Sequence, residues 1–328
     1  MHPLRILATA TAIEICFAAA LLALLGLGGA WDAWLDLVNC LAPLFAAAGA
    51  AGAVAAWSIL PKGRLRACCV LLGAAATLYA GVMLAPNLAA PRPGVMANGD
   101  AYRIVSANLF RGNITPLHAA TAVTTRGADA LLLQETDSVG STSRSKVLMD
   151  QRYPYASACP GAGVQIRVKV PLLAQGCGLQ TTTNGAPGAD FVWVRVRGPK
   201  GRPLVLATAH LQRPYPPERQ AVQREVLARA LKQLPNGDPV VLSGDFNTVP
   251  WSFAMRAQDR LLAPLRRQTR LTPTYPAQIN TTFQPWGLPL LPIDHLYVSG
   301  GWTTQRIARI RTPGSDHFGL VADLVLGH

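Results

Sequence analysis

Hydrophobic positions fall into two regimes along the chain. Up to about residue 90 they run almost without interruption: 6–28, 35–60 and 65–88 are apolar and rich in Ala, Gly and Leu. Each is long enough to cross a hydrocarbon core, which needs about 20 helical residues. A Pro- and Gly-rich break at 86–99 follows, and such a composition stops a helix. Beyond it the apolar runs shorten to strand length: 102–109, 130–134, 163–169, 191–196, 204–210, 240–242, 293–298 and 320–326. Several are rich in Val and Ile and alternate at period two, as Val192, Val194 and Val196 do, which predicts half-buried strands. Between them a helical pattern over 217–234 puts Val222, Val226, Leu227, Ala230, Leu231 and Leu234 on one face. Strands, some in hairpin-like pairs, interleaved with helices predict an α/β domain with mixed sheets. The expected organisation is therefore a three-helix transmembrane anchor (1–90), a linker (91–101) and a globular domain (102–328).

Charge sharpens this division. The chain has 328 residues, 30 Lys+Arg against 17 Asp+Glu, a formal net charge of +13, and only 14% charged residues. That composition excludes disorder and a coiled coil and disfavours a purely soluble enzyme. Residues 1–90 hold only four basic and three acidic side chains, so nearly all the surplus lies in the outer part. Arg5 precedes the first apolar stretch, and Lys62, Arg64 and Arg66 lie between the second and third. The first turn has Asp32, Asp36, Trp31 and Trp34 but no basic residue. By the positive-inside rule the N-terminus is cytoplasmic and residues 91–328 lie outside, on the periplasmic side of a cell (inner) membrane. The basic start and the small residues before Trp31 also fit a cleaved signal peptide, which leaves the orientation unchanged. Glu14 inside the first stretch is read as a bundle hydrogen bond or a protonated acid rather than a functional group. Cys16, Cys40, Cys68 and Cys69 lie within the apolar stretches, leaving Cys159 and Cys177 outside. That pair could close a short loop in an oxidising compartment or stay as two thiols.

The chemistry lies at the ends of the strands. The run 102–109 contains Asn108, and 130–134 is followed by Glu135. His210 ends 204–210, and Asp245 and Asn247 follow 240–242. Asp294 and His295 follow Ile293, and Asp316 and His317 follow Ser315. In layered α/β folds strand ends build the site. Carboxylates, amides and imidazoles without thiols suit a hard cation and a phosphate ester rather than zinc.

These blocks, Asn108-Leu109, Leu133-Gln134-Glu135, Thr208-Ala209-His210-Leu211, Gly244-Asp245-Phe246-Asn247-Thr248, Ile293-Asp294-His295 and Ser315-Asp316-His317, stand in an order and spacing that resemble the endonuclease/exonuclease/phosphatase superfamily. Its membrane-attached bacterial branch is the nearest in layout. The resemblance spans 102–326 and implies a four-layer α/β/β/α sandwich with mixed sheets, preceded here by three transmembrane helices. It also implies Mg²⁺-dependent attack of water on a phosphodiester or phosphomonoester, with Mn²⁺ as the alternative cation. Position by position, Glu135 matches the principal metal ligand with Asn108 beside it, and Asp316 a metal- or water-facing carboxylate. Asp245 matches the residue that orients or deprotonates water. Asn247 and Asn108 match substrate-binding amides. His317 matches the transition-state or leaving-group histidine, held by Asp294, and His210 the second histidine of the deoxyribonuclease and sphingomyelinase branches. His295 is read as structural, and Asn113 as either a substrate contact or a turn residue. Two positions depart from the family pattern: Phe110 stands where abasic-site endonucleases have a second acid, and Val168 where a serine is usual.

The basic surplus, with residues such as Arg144, Lys146, Arg195, Arg202, Arg266 and Arg267 spread along the chain, fits nucleic acid, anionic lipid headgroups or a solvated face. Trp251 and Trp286 are read as base- or lipid-facing or as core. Three readings follow: a membrane-tethered nuclease or phosphodiesterase, a phospholipase C-, sphingomyelinase- or phosphatase-type hydrolase of headgroups, and a non-catalytic binding module. Retention of Glu135, Asp245, Asn247 and His317 together disfavours the last.

Overall fold

The structure, a computed structural model, describes residues 3–88, 99–137, 143–159, 161–178, 190–235, 237–279, 284–285 and 288–327. Most of the expected linker, and Trp286, lie outside these. The chain forms two compact units, one of Met1–Ala90 with Val249–Arg256 and one of Pro91–Thr248 with Ala257–His328.

The first unit holds α1 (Pro3–Gly28), α2 (Ala33–Asp36), a 3-10 turn over Leu37–Leu41, α3 (Ala42–Ile59) and α4 (Arg64–Leu88). The second apolar stretch is therefore not one unbroken α-helix. Pro43 stands in the first turn of α3, where a missing N–H costs nothing. Three helical stretches, Pro3–Gly28, Ala33–Ile59 and Arg64–Leu88, are long and apolar enough to cross a membrane. Their packing inverts that of a water-soluble bundle. On α1 the buried residues are the small Ala12, Cys16, Ala19, Ala23 and Gly26, while Leu7, Phe17, Leu21 and Leu24 are exposed. Large apolar groups turned outward and small ones inward are what a lipid solvent favours. Helices α3 and α4 approach closely through glycine: a Cβ on Gly73 would lie 2.4 Å from the Gly49 carbonyl oxygen. Glu14 lies exposed on α1.

The second unit is a two-sheet sandwich. Its first sheet has the order β13 (Trp302–Ile310), β14 (Gly319–Leu326), β1 (Asp100–Asn108), β2 (Ala130–Gln134), β4 (Val164–Val168), β3 (Tyr155–Ala156). The second has β5 (Leu172–Cys177), β6 (Asp190–Arg197), β7 (Pro203–His210), β8 (Val240–Asp245), β12 (Asp294–Val298), β9 (Arg266–Arg267). A short hairpin pairs β10 (Gln278–Ile279) with β11 (Gln284–Pro285). Among the described residues only β1–β2 and β7–β8 run parallel; their neighbours are antiparallel. Alternation divides each strand between two cores. Ile104, Leu132, Ile166, Val194, Leu206, Val241 and Leu296 meet between the sheets. Val105, Leu131 and Leu133 face outward onto Ala119, Ala120, Val123 and Met149 of α5 (Pro116–Thr124) and α6 (Ser143–Arg152). On the other side α7 (Pro217–Leu231) and, from Ala257 on, α8 (Phe253–Leu261) complete the layers. Gln220 of α7 donates to the Phe246 carbonyl (3.1 Å), and Asp259 of α8 accepts from Tyr297 Oη of β12 (2.7 Å). The expected α/β/β/α sandwich is the observed fold.

A polar bond crosses the sandwich: Gln134 Nε2 donates to Thr208 Oγ1 at 2.7 Å, both fully buried. Close backbone approach also fixes the second sheet near its end. A Cβ on Gly244 would sit 1.9 Å from the Ala209 carbonyl oxygen, so only glycine fits.

Cys159 and Cys177 are joined by a disulfide, with Cα atoms 5.9 Å apart across 18 residues. Closing a loop of that length is worth about 3 kcal/mol through the unfolded chain. Reduction, or the double change Cys159→Ser with Cys177→Ser, is expected to lower stability by that amount. Thermal melts with and without reductant measure it; an unchanged midpoint would show that the bridge does not hold the folded state.

Candidate active site

Every strand end expected to carry chemistry reaches one end of the sandwich, and register explains why. Parallel β1 and β2 place Asn108 opposite Gln134, just before Glu135. Parallel β7 and β8 place His210 opposite Asp245. Antiparallel β12 starts where β8 ends, so Asp294 faces Asp245. Antiparallel β14 starts where β1 ends, which brings the preceding residues 315–317 back to Asn108. Ser315 latches this return: its Oγ donates to the Asn108 carbonyl at 2.7 Å and accepts from the His317 N–H at 3.0 Å.

At the centre is a buried cluster of opposite charges. His317 Nδ1 donates to Asp294 Oδ2 at 2.9 Å, and its Nε2 lies 3.6 Å from Asp245 Oδ2. All three residues are at most 4% exposed. Burial opposes a charge on His317, but Asp294 and Asp245 outweigh it and raise its pKa from 6.5 to about 10. Burial raises the Asp245 carboxyl from 3.8 to about 6, against the pull of His317. The ligating atoms of Asp245, Asp294 and His317 lie within 4.8 Å of one another, close enough to surround a cation.

Glu135 lies beside this cluster. Its Oε1 accepts from Asn108 Nδ2 (3.1 Å) and its Oε2 from the Arg111 N–H (2.8 Å). Burial alone would raise its pKa, but these bonds and the nearby His210 and His317 hold it below the ordinary value. Asn108 Nδ2 also donates to Asp245 Oδ2 at 3.1 Å, so one amide ties the two carboxylates together. His210 Nε2 is 3.7 Å from both Glu135 Oε1 and Asp245 Oδ2. Asp316 is largely buried, its carboxyl pKa raised by that burial and, among the charges, by Glu135. Asp316 Oδ1 has no hydrogen-bond partner.

Backbone strain marks the same place. Among the described residues, four non-glycine residues have positive φ, and three belong to this site: Phe110 (62°), Glu135 (49°) and Asn247 (49°). Such conformations cost about 1–3 kcal/mol each and persist where surrounding contacts impose them. Asn247 is thus in a left-handed turn rather than the extended segment its spacing from Asp245 suggests. Its Nδ2 donates to the Leu211 carbonyl at 2.8 Å, and its own N–H donates to Asp245 Oδ1 at 2.8 Å.

Other residues resolve differently. Asn113 clamps a loop, donating to the Leu109 and Pro313 carbonyls and accepting from the Thr115 N–H. Trp251 is buried and donates to the Asn39 carbonyl (2.7 Å) within the helical unit. Several basic residues are committed to ion pairs: Lys146 and Arg167 with Asp150, Arg195 with Asp238, Arg267 with Asp259. Tyr275, which no strand or motif signals, places its ring 5.1 Å from that of His317. Its segment brackets the histidine: Ala277 N–H donates to the Asp316 carbonyl (2.6 Å), and Phe318 N–H to the Thr274 carbonyl (2.8 Å).

The sequence profile described as Endonuclease/Exonuclease/phosphatase family matches residues 105–317. A search of curated proteins found no match. Among solved structures, an endonuclease/exonuclease/phosphatase family protein from Bacteroides thetaiotaomicron is similar at 17% identity, covering 70% of this chain and 100% of its own, with a TM-score of 0.54. D. rerio TDP2 complexed with a single-stranded DNA product is similar at 19% identity, covering 69% and 99%, with a TM-score of 0.53. A mutant beta toxin from Staphylococcus aureus with bound magnesium ions is similar at 15% identity, covering 70% and 100%, with a TM-score of 0.50. At these identities the likeness establishes the fold.

His295, adjacent to Asp294, is structural. Its Nε2 donates to the Thr248 carbonyl (2.8 Å), which leaves Nδ1 to accept from Thr269 Oγ1 (2.9 Å), so the ring is neutral. Burial, assisted by the nearby Arg267, lowers its pKa from 6.5 to about 3. The unfolded chain binds a proton here below pH 6.5 and the folded chain does not, so acid removes stability. The loss is about 1.4 kcal/mol per pH unit from 6.5 down to about 3. His295→Gln is expected to flatten the pH dependence of the melting temperature over that window, and an unaltered slope would show that another group sets it.

Proposed function

The chain belongs to the Endonuclease/Exonuclease/phosphatase family, and from that premise we propose that it is a membrane-tethered, divalent-metal-dependent phosphodiesterase acting on nucleic acid. The observation that carries the chemistry is the buried pairing of His317 with Asp294 and Asp245 beside the ionised Glu135. Asp245, with a pKa near 6, is ionised at neutral pH and basic enough to take a proton from water. His317, held cationic, stabilises charge developing on the phosphate or protonates the leaving oxygen. Asp294 fixes its ring. Asn247 and Asn108 are assigned to the phosphate, which would take over amide N–H groups that now bond Leu211, Glu135 and Asp245, and His210 adds a further polar group beside them.

The donors also fit a hard cation. Glu135 is ionised, and Asp316 has a buried oxygen without a partner beside a second carboxylate, an arrangement a bound cation satisfies. Glu135 and Asp316 would hold Mg²⁺ or Mn²⁺, which when bound polarises the phosphate. Asn108, whose amide nitrogen faces the carboxylates, is placed to act as a donor. The group of Asp245, Asp294 and His317 is read as a proton-transfer unit rather than the metal seat, because the imidazolium already supplies the positive charge there.

By the charge rule applied to its loops, the catalytic domain is extracytoplasmic, and the disulfide agrees with that compartment. A second reading, hydrolysis of lipid headgroups, is favoured by one feature. Leu288 and Leu290 are 69% and 59% exposed. The Leu290 N–H donates to the carbonyl of Tyr275, whose ring packs on His317.

The test uses the full-length protein in detergent with Mg²⁺, assayed on plasmid DNA, phosphatidylcholine or sphingomyelin micelles, and bis-p-nitrophenyl phosphate. Plasmid nicking that falls by about 10³-fold in His317→Ala is expected, the scale of losing an acid and its charge. Headgroup release without nicking selects the lipid reading. Absence of all three activities in a folded protein that binds no Mg²⁺ leaves a binding module. Glu135→Gln is expected to weaken Mn²⁺ binding, measured calorimetrically, by tenfold or more.

The pH profile is a separate check. Activity is expected to rise as Asp245 loses its proton near pH 6 and to fall as pH approaches 10, where His317 loses its own. Asp294→Asn removes the strongest support for the imidazolium, so the upper limb should move to lower pH. A stationary upper limb would mean that His317 is not the acid.

A further inference from the structure

The helical unit is built from two separated pieces of chain: residues Val249–Arg256 belong to it together with the N-terminal helices. Asp36, Asn39 and Tyr79 form the seat. Asp36 is only 6% exposed. Its Oδ1 accepts from the Phe253 N–H (3.0 Å) and from Asn39 Nδ2 (2.8 Å), and its Oδ2 accepts from the Ala254 N–H (2.8 Å). Phe253 and Ala254 open α8, so the carboxylate meets the free N–H groups and positive end of that helix. Asn39 is fully buried; it also donates to the Gly26 carbonyl (2.9 Å), accepts from Tyr79 Oη (2.9 Å), and through its own carbonyl accepts from Trp251 Nε1 (2.7 Å). Arg256 donates to the Met83 carbonyl at 3.3 Å.

A carboxylate buried among apolar helices is costly unless hydrogen bonds meet its charge. Here two of the donors come from a segment more than two hundred residues away. Asp36 therefore has two of its three donors only when that segment is seated. The segment starts two residues after Asn247.

We propose that the three helices, besides crossing the membrane, are a non-covalent dock for the chain directly downstream of residues 245–247, and that Asp36 is a positioning residue for that turn. Trp251 is the second anchor. Gln220 and His295 hold the turn at Asn247 through the Phe246 and Thr248 carbonyls, and the docked segment begins at the next residue, Val249. Only the kinetic consequence rests on the proposed hydrolase reading; the docking itself does not.

A site-specific protease sequence placed in 91–94 of the full-length protein separates the covalent anchor from the domain without touching either partner of the dock. After cleavage in vesicles the C-terminal fragment is expected to stay with the membranes through a high-salt wash. In Asp36→Ala combined with Trp251→Phe it is expected to be released. Asp32→Ala is the control: Asp32 caps its own helix at Trp34 and Leu35 and should retain the fragment. Release of the cleaved wild-type fragment, or equal retention by the double variant, overturns the dock whatever the enzyme hydrolyses.

In the uncut chain Asp36→Ala is expected to lower kcat about tenfold with KM within about twofold, the signature of a misplaced group rather than a lost binding contact. Trp251→Phe, which keeps the packing and removes one hydrogen bond, should shift kcat in the same direction by less. A kcat unchanged in both variants while cleaved wild type stays attached overturns the positioning role.

Discussion

A buried imidazole between two buried carboxylates is the constraint from which the second unit's architecture follows. His317 remains cationic only because Asp294 and Asp245 surround it, and those two carboxylates share so little space only because the imidazolium separates them. Such a cluster has to be imposed by the scaffold, because isolated side chains would not leave water to form it. The sandwich imposes it through strand spacing. Neighbouring strands lie about 4.8 Å apart, so residues that end adjacent strands at one level are forced within a few ångströms. The pairs Asp294 with Asp245 and His210 with Asp245 are register partners of this kind. The two parallel pairings matter because they let consecutive chain segments deliver side chains to the same end.

The same constraint accounts for the strained backbone. Glu135 and Asn247 adopt a conformation glycine would accept without cost, yet glycine would bring no carboxylate or amide. The surrounding bonds hold the strain in place. Both Glu135 oxygens are engaged, and Asn247 is tied at its side chain to Leu211 and at its backbone to Asp245. The Gln134–Thr208 bond between the sheets keeps these turns in step. It also leaves Gln134 Oε1 buried without a partner, a cost borne one residue before Glu135.

What the sequence disclosed follows the same physics. Strands buried on one or both faces read as Val- and Leu-rich runs, so eight were visible, and the polar residue after each apolar run marked the site. Strand β13 was not visible: Thr303, Thr304, Gln305, Arg306 and Arg309 interrupt its pattern, and as the edge of its sheet it leaves Gln305, Arg306 and Arg309 in solvent. Tyr275 carries no periodic signal, since it sits in a connection and its relation to His317 exists only through backbone bonds to residues 316 and 318. The left-handed turn at Asn247 was missed for a related reason, as the alternation that places a residue on one face of a strand fails where the strand ends.

Hydropathy finds membrane spans by averaging, and averaging hides what the turn between two spans does. In sequence Asp36 is one of two acids in a turn without basic residues, and its charge informs only about orientation. In the fold it is buried and bonded to the first N–H groups of a helix remote in sequence, while Asp32, four residues earlier, does the ordinary capping work in solvent. The difference between them is burial, which no count of charges contains. An anchor requires apolar length and nothing else. A buried acid, a fully buried asparagine and a tyrosine bonded to it are expensive in a helix bundle and add nothing to anchoring. They are accounted for if the helices also bind the segment Val249–Arg256 that follows the turn at Asn247.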